Sequence, residues 1–434
     1  MKRLIAFVTV AALTASLLLA GCGKKQEKQK LHPSEVTDMI FDSVMVFASR
    51  GEITSQNEFN AKRNEIAAGY AGSLQAEGLD GEGLLDYGKV LYWGGQKGRA
   101  REVLQELANG DDGTARNAYR ELITMEIEGG DFAKVEEMMA GFRRRFPYTP
   151  EYEANLYGPC QDLAGRYNEL NRPEDAIRIL MEELESLPLD APYTSYYLAD
   201  ELTPLLMEKD RIAEGQELFR QYRANLVGAL GVHVTSTAYS DSFTQQDDPI
   251  ATKYGQHLET LSTLVQRLGM IGTEAPDFTF VHVYNEKLSI KLKTFRGKVM
   301  ILDFWATWCM PCMMAFPELR ELYNRFRDRG LAVLGITSFQ GMYRDLETGE
   351  TEGSREDKLN PDREIELTGA FIEKHGMTWP CAFSNRPVFD PEYGIMGIPT
   401  FVILDREGRI RLIQTGIGLK AQKLRMIEKL MKER

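Results

Sequence analysis

The sequence predicts a multidomain chain: an α-helical, solenoid-like N-terminal domain followed by an α/β C-terminal domain. Three observations predict it. Residues 33 to 265 carry apolar side chains at 3.6-residue spacing with little strand-like alternation. Within them a pattern recurs: Ala100, Val135, Ala176 and Gly215 are spaced by 35, 41 and 39 residues. Each is followed four residues later by a large apolar residue: Leu104, Met139, Leu180 and Phe219. Beyond residue 268 the pattern changes to short apolar runs, Val299–Phe304 and Phe401–Leu404, that read as buried strands.

The 434 residues leave room for two or three domains, and a formal net charge of −12 argues against nucleic acid as a partner. Met1-Lys2-Arg3 is basic, and the apolar run from Leu4 to Leu18 is too short for a stable membrane span. Leu19-Ala20-Gly21-Cys22 resembles a bacterial lipoprotein box, so residues 1–22 are expected to be a signal segment with Cys22 as the lipidation site. A plain secretory signal with an incidental cysteine is the alternative. Residues 23–32, with the Lys, Gln and Glu alternation of Lys24 to Lys30, read as a solvated tether. Acyl chains at Cys22 would anchor the protein on the extracytoplasmic, periplasmic side of the membrane.

Residues 33–268 are expected to form the helical domain and 269–434 the α/β domain. Each repeat follows a turn-like segment: Gly94-Gly95, Gly129-Gly130-Asp131, Asn171-Arg172-Pro173 or Lys209-Asp210. Small residues let helices approach, and the apolar partner fills the groove. The period is similar to that of tetratricopeptide-like helix pairs, and the array reads as a docking surface or as a spacer. Tyr193, Tyr196 and Tyr197 are either an aromatic groove or, preferably, core. The polar stretch from His233 to Thr252 is expected to be a loop, with a last helix near Gln256 to Leu268 and a boundary at Gly269-Met270-Ile271-Gly272.

The chemistry concentrates at Trp308-Cys309-Met310-Pro311-Cys312, directly after the strand run. A Cys-x-x-Cys at a strand-to-helix junction is the layout of a thiol–disulfide redox site. The first sulfur sits at a helix N-terminus, where the dipole and free N–H groups stabilise a thiolate. The second lies one turn on and can attack a mixed disulfide. A structural zinc site needs a second Cys or His pair, which the sequence lacks. Met310, Met313 and Met314 beside the thiols leave a Cu(I) set as an alternative to ordinary packing of groove and core. No metal or other cofactor is expected. Asp303, inside the apolar strand, should have a raised pKa. Cys160 and Cys381 fall in different domains and are not expected to pair, with Cys381 read as a small buried apolar residue.

Five stretches follow in order: Ala275-Pro276-Asp277-Phe278, Phe295-Arg296-Gly297-Lys298, Phe304-Trp305-Ala306-Thr307-Trp308-Cys309, Pro317, and Gly397-Ile398-Pro399-Thr400. Together they resemble membrane-anchored thioredoxin-fold proteins of the TlpA/ResA type, from Ile271 to the C-terminus. The resemblance implies a thioredoxin fold with an AhpC/TSA-like N-terminal extension and a Cys309–Cys312 disulfide. It makes Cys309 the attacking nucleophile, Cys312 the resolving thiol and Asp303 the proton acceptor. It implies a cis Pro399 beside the disulfide, and a substrate-binding surface of Trp308, Met310, Pro311 and Ile398. It also implies a membrane electron donor of the DsbD or CcdA type and, as partners, the thiols and disulfides of exported proteins.

The chain also departs from that family. Ala315 holds the place of a glutamate, and Asp303 stands where many members have a neutral residue, which argues against apocytochrome c as substrate. The next strand, Leu331 to Ser338, holds no lysine to temper Asp303. The segment from Phe339 to Arg363 is polar, without apolar period, ahead of a helix from Glu364 to His375. It reads as a lid, a substrate-selecting loop or a disordered insertion, and the resemblance implies that it lies on the side of the domain away from the N-terminal hairpin. The expected function is a lipid-anchored, extracytoplasmic thiol–disulfide oxidoreductase that reduces exported proteins. The alternatives are a docking or scaffold lipoprotein, whose helical array is the working part, and a thiol peroxidase. Against the latter, Leu302 and Ala306 occupy the places of the residues a peroxidatic cysteine needs.

Overall fold

The computed structural model describes residues 31–49, 53, 56–147, 157–187, 192–236, 249–285, 291–344, 351–354, 356–417 and 420–433. The signal segment, Cys22 and the tether as far as residue 30 lie outside the described residues. Among those described, the chain forms fourteen α-helices and eight strands.

The helical region runs α1 (Pro33–Ser49), α2 (Gln56–Ala71), α3 (Gly81–Trp93), α4 (Lys97–Leu107), α5 (Gly113–Gly129), α6 (Phe132–Arg145), α7 (Tyr157–Glu169), α8 (Pro173–Ser186), α9 (Pro192–Glu208), α10 (Ile212–Ser236) and α11 (Pro249–Met270). α3 packs with α4, α5 with α6, and α7 with α8, while α9 packs on α8, α10 and α11. Gly95, Gly130, Asn171 and Asp210, at φ 83°, 82°, 58° and 57°, each sit in one of the reversals. Each lies five residues before a repeat position. A tight helix-to-helix reversal needs one left-handed residue, and Asn and Asp tolerate that region, so the repeat survives a change of residue type. The same closing bond follows: Gln96 N–H to Leu91 O at 2.8 Å, Arg172 N–H to Tyr167 O at 2.8 Å, and Arg211 N–H to Leu206 O at 2.9 Å.

The repeat positions are where helices touch. Ala100, Val135 and Ala176 are each 0% exposed. A Cβ on Gly215 would lie 2.7 Å from Leu206 Cδ1 and 2.9 Å from Leu268 Cδ1, so a larger residue there would have to displace both leucine side chains. Leu104, Met139, Leu180 and Phe219 are all buried. Two expectations are corrected here. α10 continues through His233 to Ser236 and α11 starts at Pro249, so helix covers both ends of the stretch expected to be a loop. Tyr197 is exposed rather than core. The side chains of Tyr193 and Tyr196 lie outside the described set.

The α/β unit runs β1 (Phe280–Tyr284), β2 (Val299–Phe304), α12 (Met310–Phe326), β3 (Leu331–Thr337), β4 (Met342–Arg344), β5 (Thr351–Gly353), α13 (Pro361–Lys374), β6 (Cys381–Ser384), β7 (Thr400–Leu404), β8 (Ile410–Thr415) and α14 (Lys420–Lys432). The main sheet has the order β1-β6-β3-β2-β7-β8. β2, β3 and β6 are parallel, and β1, β7 and β8 are antiparallel to their neighbours. This is a thioredoxin-type sheet. Central β2 is buried throughout, which is why its sequence is almost continuously apolar. Asp303 lies opposite Gly335 on one side and Phe401 on the other, and Gly335 lies opposite Cys381. A Cβ at Gly335 would fall 2.8 Å from Cys381 Sγ and 2.9 Å from Trp305 Nε1.

The polar segment after β3 forms the β4–β5 hairpin, with residues 345–350 outside the described set. Its base is fastened: the Glu364 carboxylate accepts the N–H groups of Gln340 at 2.7 Å and Gly341 at 3.0 Å, and Phe339 stacks on Phe383. The Tyr284 hydroxyl of β1 donates to Ile365 O of α13 at 2.6 Å. The segment and its helix therefore lie on the β1 side of the sheet, not on the side away from the N-terminal hairpin. The topology requires this, because β6, where the crossover from β3 ends, pairs directly with β1.

The two regions meet along a main seam and again at the far end of the array. The larger apolar core passes without a break from α5–α11 into the sheet. Arg267 of α11, 1% exposed, donates to Gly394 O at 2.8 Å, Asp200 Oδ1 at 2.9 Å and Thr415 Oγ1 at 3.0 Å. Arg425 of α14 binds Glu208 of α9, its Nε 2.6 Å from Oε1. At the other end of the array, α1 lies against α12, and Met314 packs on the apolar cluster of the first helices.

Candidate functional site

β2 delivers the chain to the start of α12. The strand's last described pairing is Phe304, after which the chain turns at Thr307 and Trp308 and Cys309 becomes the N-cap of the helix. Cys309 and Cys312 form a disulfide with the sulfurs 1.99 Å apart. The Cys312 N–H donates to Cys309 Sγ at 3.1 Å. The sulfur thus occupies the place where a helix N-terminus offers unsatisfied N–H groups, the setting that stabilises a thiolate once the pair is reduced. Cys309 is 4% and Cys312 0% exposed, so the outer sulfur is the one within reach of a partner. Pro311 at the second helical position is exposed, Met310 is half-buried, and Pro317 lies inside the helix.

The Ile398–Pro399 peptide bond is cis. It sets the Ile398 carbonyl oxygen 3.6 Å from Cys309 Sγ. Among the described residues the Ile398 N–H donates no hydrogen bond. Behind this loop, Gly416 N–H donates to Pro399 O at 2.8 Å, and Thr400 Oγ1 lies 3.0 Å from Thr415 Oγ1. Thr415 is also an Arg267 partner, so a hydrogen-bonded path joins α11 to the residue after the cis proline. Nothing in the local sequence announces Arg267. It is a charged residue on the last helix of the array, and only the tertiary fold gives it a role.

Asp303 is 1% exposed, and its Oδ2 is buried with no hydrogen-bond partner among the described residues. Burial pushes its pKa up and the positive charge of Lys423 pulls it part of the way back, leaving it at about 7. That lysine corrects the expectation of an untempered aspartate. β3 indeed holds none, but α14 supplies one from the far end of the chain. Lys423 is 3% exposed, with Nζ 3.1 Å from Glu318 Oε1 and 4.3 Å from the ring centre of Phe401, the residue paired with Asp303 in β7. A signal was available: Lys423 falls at helical spacing with Met426, Ile427 and Leu430 on the buried face of α14.

Ala315, in the glutamate place, is buried in apolar surroundings. Cys160 and Cys381 are both free and fully buried. Burial raises both thiols well above the ordinary range, which makes them inert. Trp308 is half-buried, and its ring stacks on Phe389, which the sequence reading passed over. Among the described residues no group of three His, Cys, Asp or Glu could hold a metal ion. No described helix is long and apolar enough to cross a membrane. A shallow cleft lined by Glu274, Asp277, Lys293, Arg296, Lys298 and Asp405 lies at the opposite end of β2 and contains no thiol.

Residues 271–413 match the AhpC/TSA family model. The chain is 29% identical over 150 residues to the thiol-disulfide oxidoreductase ResA of Geobacillus thermodenitrificans, covering 35% of this chain and 72% of that protein. It is 27% identical over 140 residues to ResA of Bacillus thuringiensis, covering 32% of this chain and 66% of that protein. It is 29% identical over 151 residues to the thioredoxin-like protein YneN of Bacillus subtilis, covering 35% and 75%. The chain thus spans about two thirds to three quarters of these relatives' length. Among solved structures, a thiol-disulfide isomerase from Corynebacterium glutamicum aligns at 19% identity and TM-score 0.30, covering 38% of this chain and 98% of that one.

Proposed function

We propose that this chain is a thiol–disulfide oxidoreductase, a ResA-like thioredoxin-fold unit carried on a helical array, and that it reduces disulfides in exported proteins. The observation that carries the reading is the Cys309 sulfur capping α12, with the Cys312 N–H at 3.1 Å and the cis proline loop beside it.

The cycle starts from the reduced pair. The Cys309 thiolate attacks one sulfur of a substrate disulfide. A new S–S bond forms, the substrate's own bond breaks, and its departing sulfur takes up a proton. The Cys312 thiol then gives its proton to the Asp303 carboxylate and attacks Cys309 Sγ. The substrate's second sulfur leaves as a thiolate. The substrate has gained two electrons, and the pair is left as the disulfide seen here. A pKa of about 7 suits Asp303 to accept and return that proton near neutral pH. Trp308, Met310, Pro311 and Ile398 form the receiving surface, and the unpaired Ile398 N–H is placed to bond an extended substrate backbone.

Two electrons must return from outside the chain, and a membrane thiol reductase of the DsbD or CcdA type is the donor class this reading requires. Cys22 as a lipid anchor and residues 23–32 as a tether would hold the unit on the extracytoplasmic face. The helical array, residues 33–268, enters as a brace rather than a spacer, because Arg267 reaches the loop that receives substrate.

The test uses protein beginning after Cys22. Cys309→Ser should abolish disulfide exchange. Cys312→Ser should accumulate a mixed disulfide between Cys309 and the substrate, identified by mass. A Cys309→Ser variant that still exchanges would overturn the reading.

A further inference from the structure

Phe389 is 42% exposed, yet its neighbours Val388 and Asp390 are each 1% exposed. The loop that carries it is tightly built. The Val388 N–H donates to Ser338 Oγ at 2.9 Å. Arg386 donates to Asp390 Oδ1 at 2.5 Å and lies over the Phe278 ring at 5.0 Å. Asp390 Oδ1 also accepts the Glu392 N–H at 2.9 Å, its carbonyl accepts the Ile395 N–H at 2.9 Å, and the Asn385 N–H donates to Thr279 O at 3.0 Å. A fixed loop therefore holds a large ring out to water. A single exposed ring is ordinary on a protein surface. The position of this one is not: it stacks on Trp308, centroids 6.4 Å apart and planes 28° apart, and Trp308 precedes the attacking cysteine.

Building on the exchange reading above, we infer that Phe389 is a specificity-determining residue, forming with Trp308 a platform for a bulky apolar side chain next to the reactive cysteine of a polypeptide substrate. The occupant must be a polypeptide. The platform is continuous with the disulfide on one side, and the Ile398 carbonyl lies 3.6 Å from Cys309 Sγ on the other. An extended segment bonded at Ile398 projects side chains to alternate faces, and one flanking its cysteine falls on the two rings. Unfolded or partly folded chains present such cysteines among apolar residues, whereas small thiols such as glutathione do not. Local sequence gave no hint, since Arg386-Pro387-Val388-Phe389-Asp390-Pro391 reads as a turn.

The experiment compares two peptide disulfides of equal length and charge, one with cysteines flanked by Leu and Phe, the other by Ser and Gly. The full chain from residue 23 should reduce the apolar peptide with a kcat/KM about tenfold higher. Phe389→Ser should remove most of that preference through KM, Phe389→Leu should keep most of it, and the reduction potential of the Cys309–Cys312 pair should stay at its wild-type value in both. A wild-type protein without the preference, or a Phe389→Ser variant that retains it, overturns the inference. A wild-type protein that reduces neither peptide and does not exchange with dithiothreitol instead overturns the exchange reading beneath it.

Discussion

Glu183 in the helical array and Asp303 in the sheet are both buried carboxylates, at 2% and 1% exposure, and the two regions partner them differently. Glu183 receives the Arg143 guanidinium, with Nε 3.0 Å from Oε2. Glu126 is held in the same fashion by Arg101 and Lys134. Among the described residues Asp303 has no hydrogen-bond partner at Oδ2, and the opposing charge of Lys423 is itself committed to Glu318. A paired buried carboxylate fixes the elements it joins, even where burial raises its pKa, as it does for Glu183. An under-satisfied one is poised to change protonation, which costs stability and is the signature of chemistry. The array pairs Glu183 and Glu126 with cations from other helices, while Asp303 in the sheet keeps an unbonded Oδ2 and a pKa of about 7.

The largest effect should come from Asp303→Asn. Burial raises the Asp303 pKa from 3.8 to about 7, so the folded state binds this proton more tightly than the unfolded chain does. The stability it contributes is present below about pH 4 and is lost as pH rises through 7. Asparagine carries no such dependence. The variant should match wild type near pH 4 and be more stable at pH 8, by on the order of 4 kcal/mol, while its exchange rate falls by about a hundredfold. Denaturant titrations at both pH values check it, and an equal difference at each would remove Asp303 from the proton path.

Arg143→Ala should go the other way. It leaves Glu183 buried and unpaired, at a cost of about 3 kcal/mol that thermal melts would show, with exchange by the folded fraction unchanged. A loss of activity without a loss of stability would erase the contrast between the two regions. Lys423→Met, made together with Glu318→Gln so that no carboxylate is stranded, should have the smallest effect on stability. Without the opposing charge Asp303 titrates higher, so the pH at which the resolving step reaches half its maximum should move up. An unmoved midpoint would mean that Lys423 does not act on Asp303.

What could be read from sequence follows from range. The helix pairs were legible because their determinants are local: a left-handed turn residue and, five residues on, a small contact position, repeated along the chain. Cys309, Cys312, Asp303 and Pro399 were legible because short motifs place them. Arg267 and Phe389 were not, because each gains its meaning from a contact across the fold, to the cis proline loop and to Trp308; the spacing of α14 marks Lys423 as buried, but only its contact with β7 ties it to Asp303. The side of the sheet on which the 339–363 segment lies depended on strand order, which local pattern does not encode.

The central claim, that the Cys309–Cys312 pair is a reductant, is tested most directly by its reduction potential, measured against a glutathione or dithiothreitol buffer on protein beginning after Cys22. The account predicts roughly −250 mV or lower, in the range of thioredoxin. A value near about −150 mV or higher, toward the disulfide-donating oxidases, would contradict it and make the chain an oxidant or an isomerase.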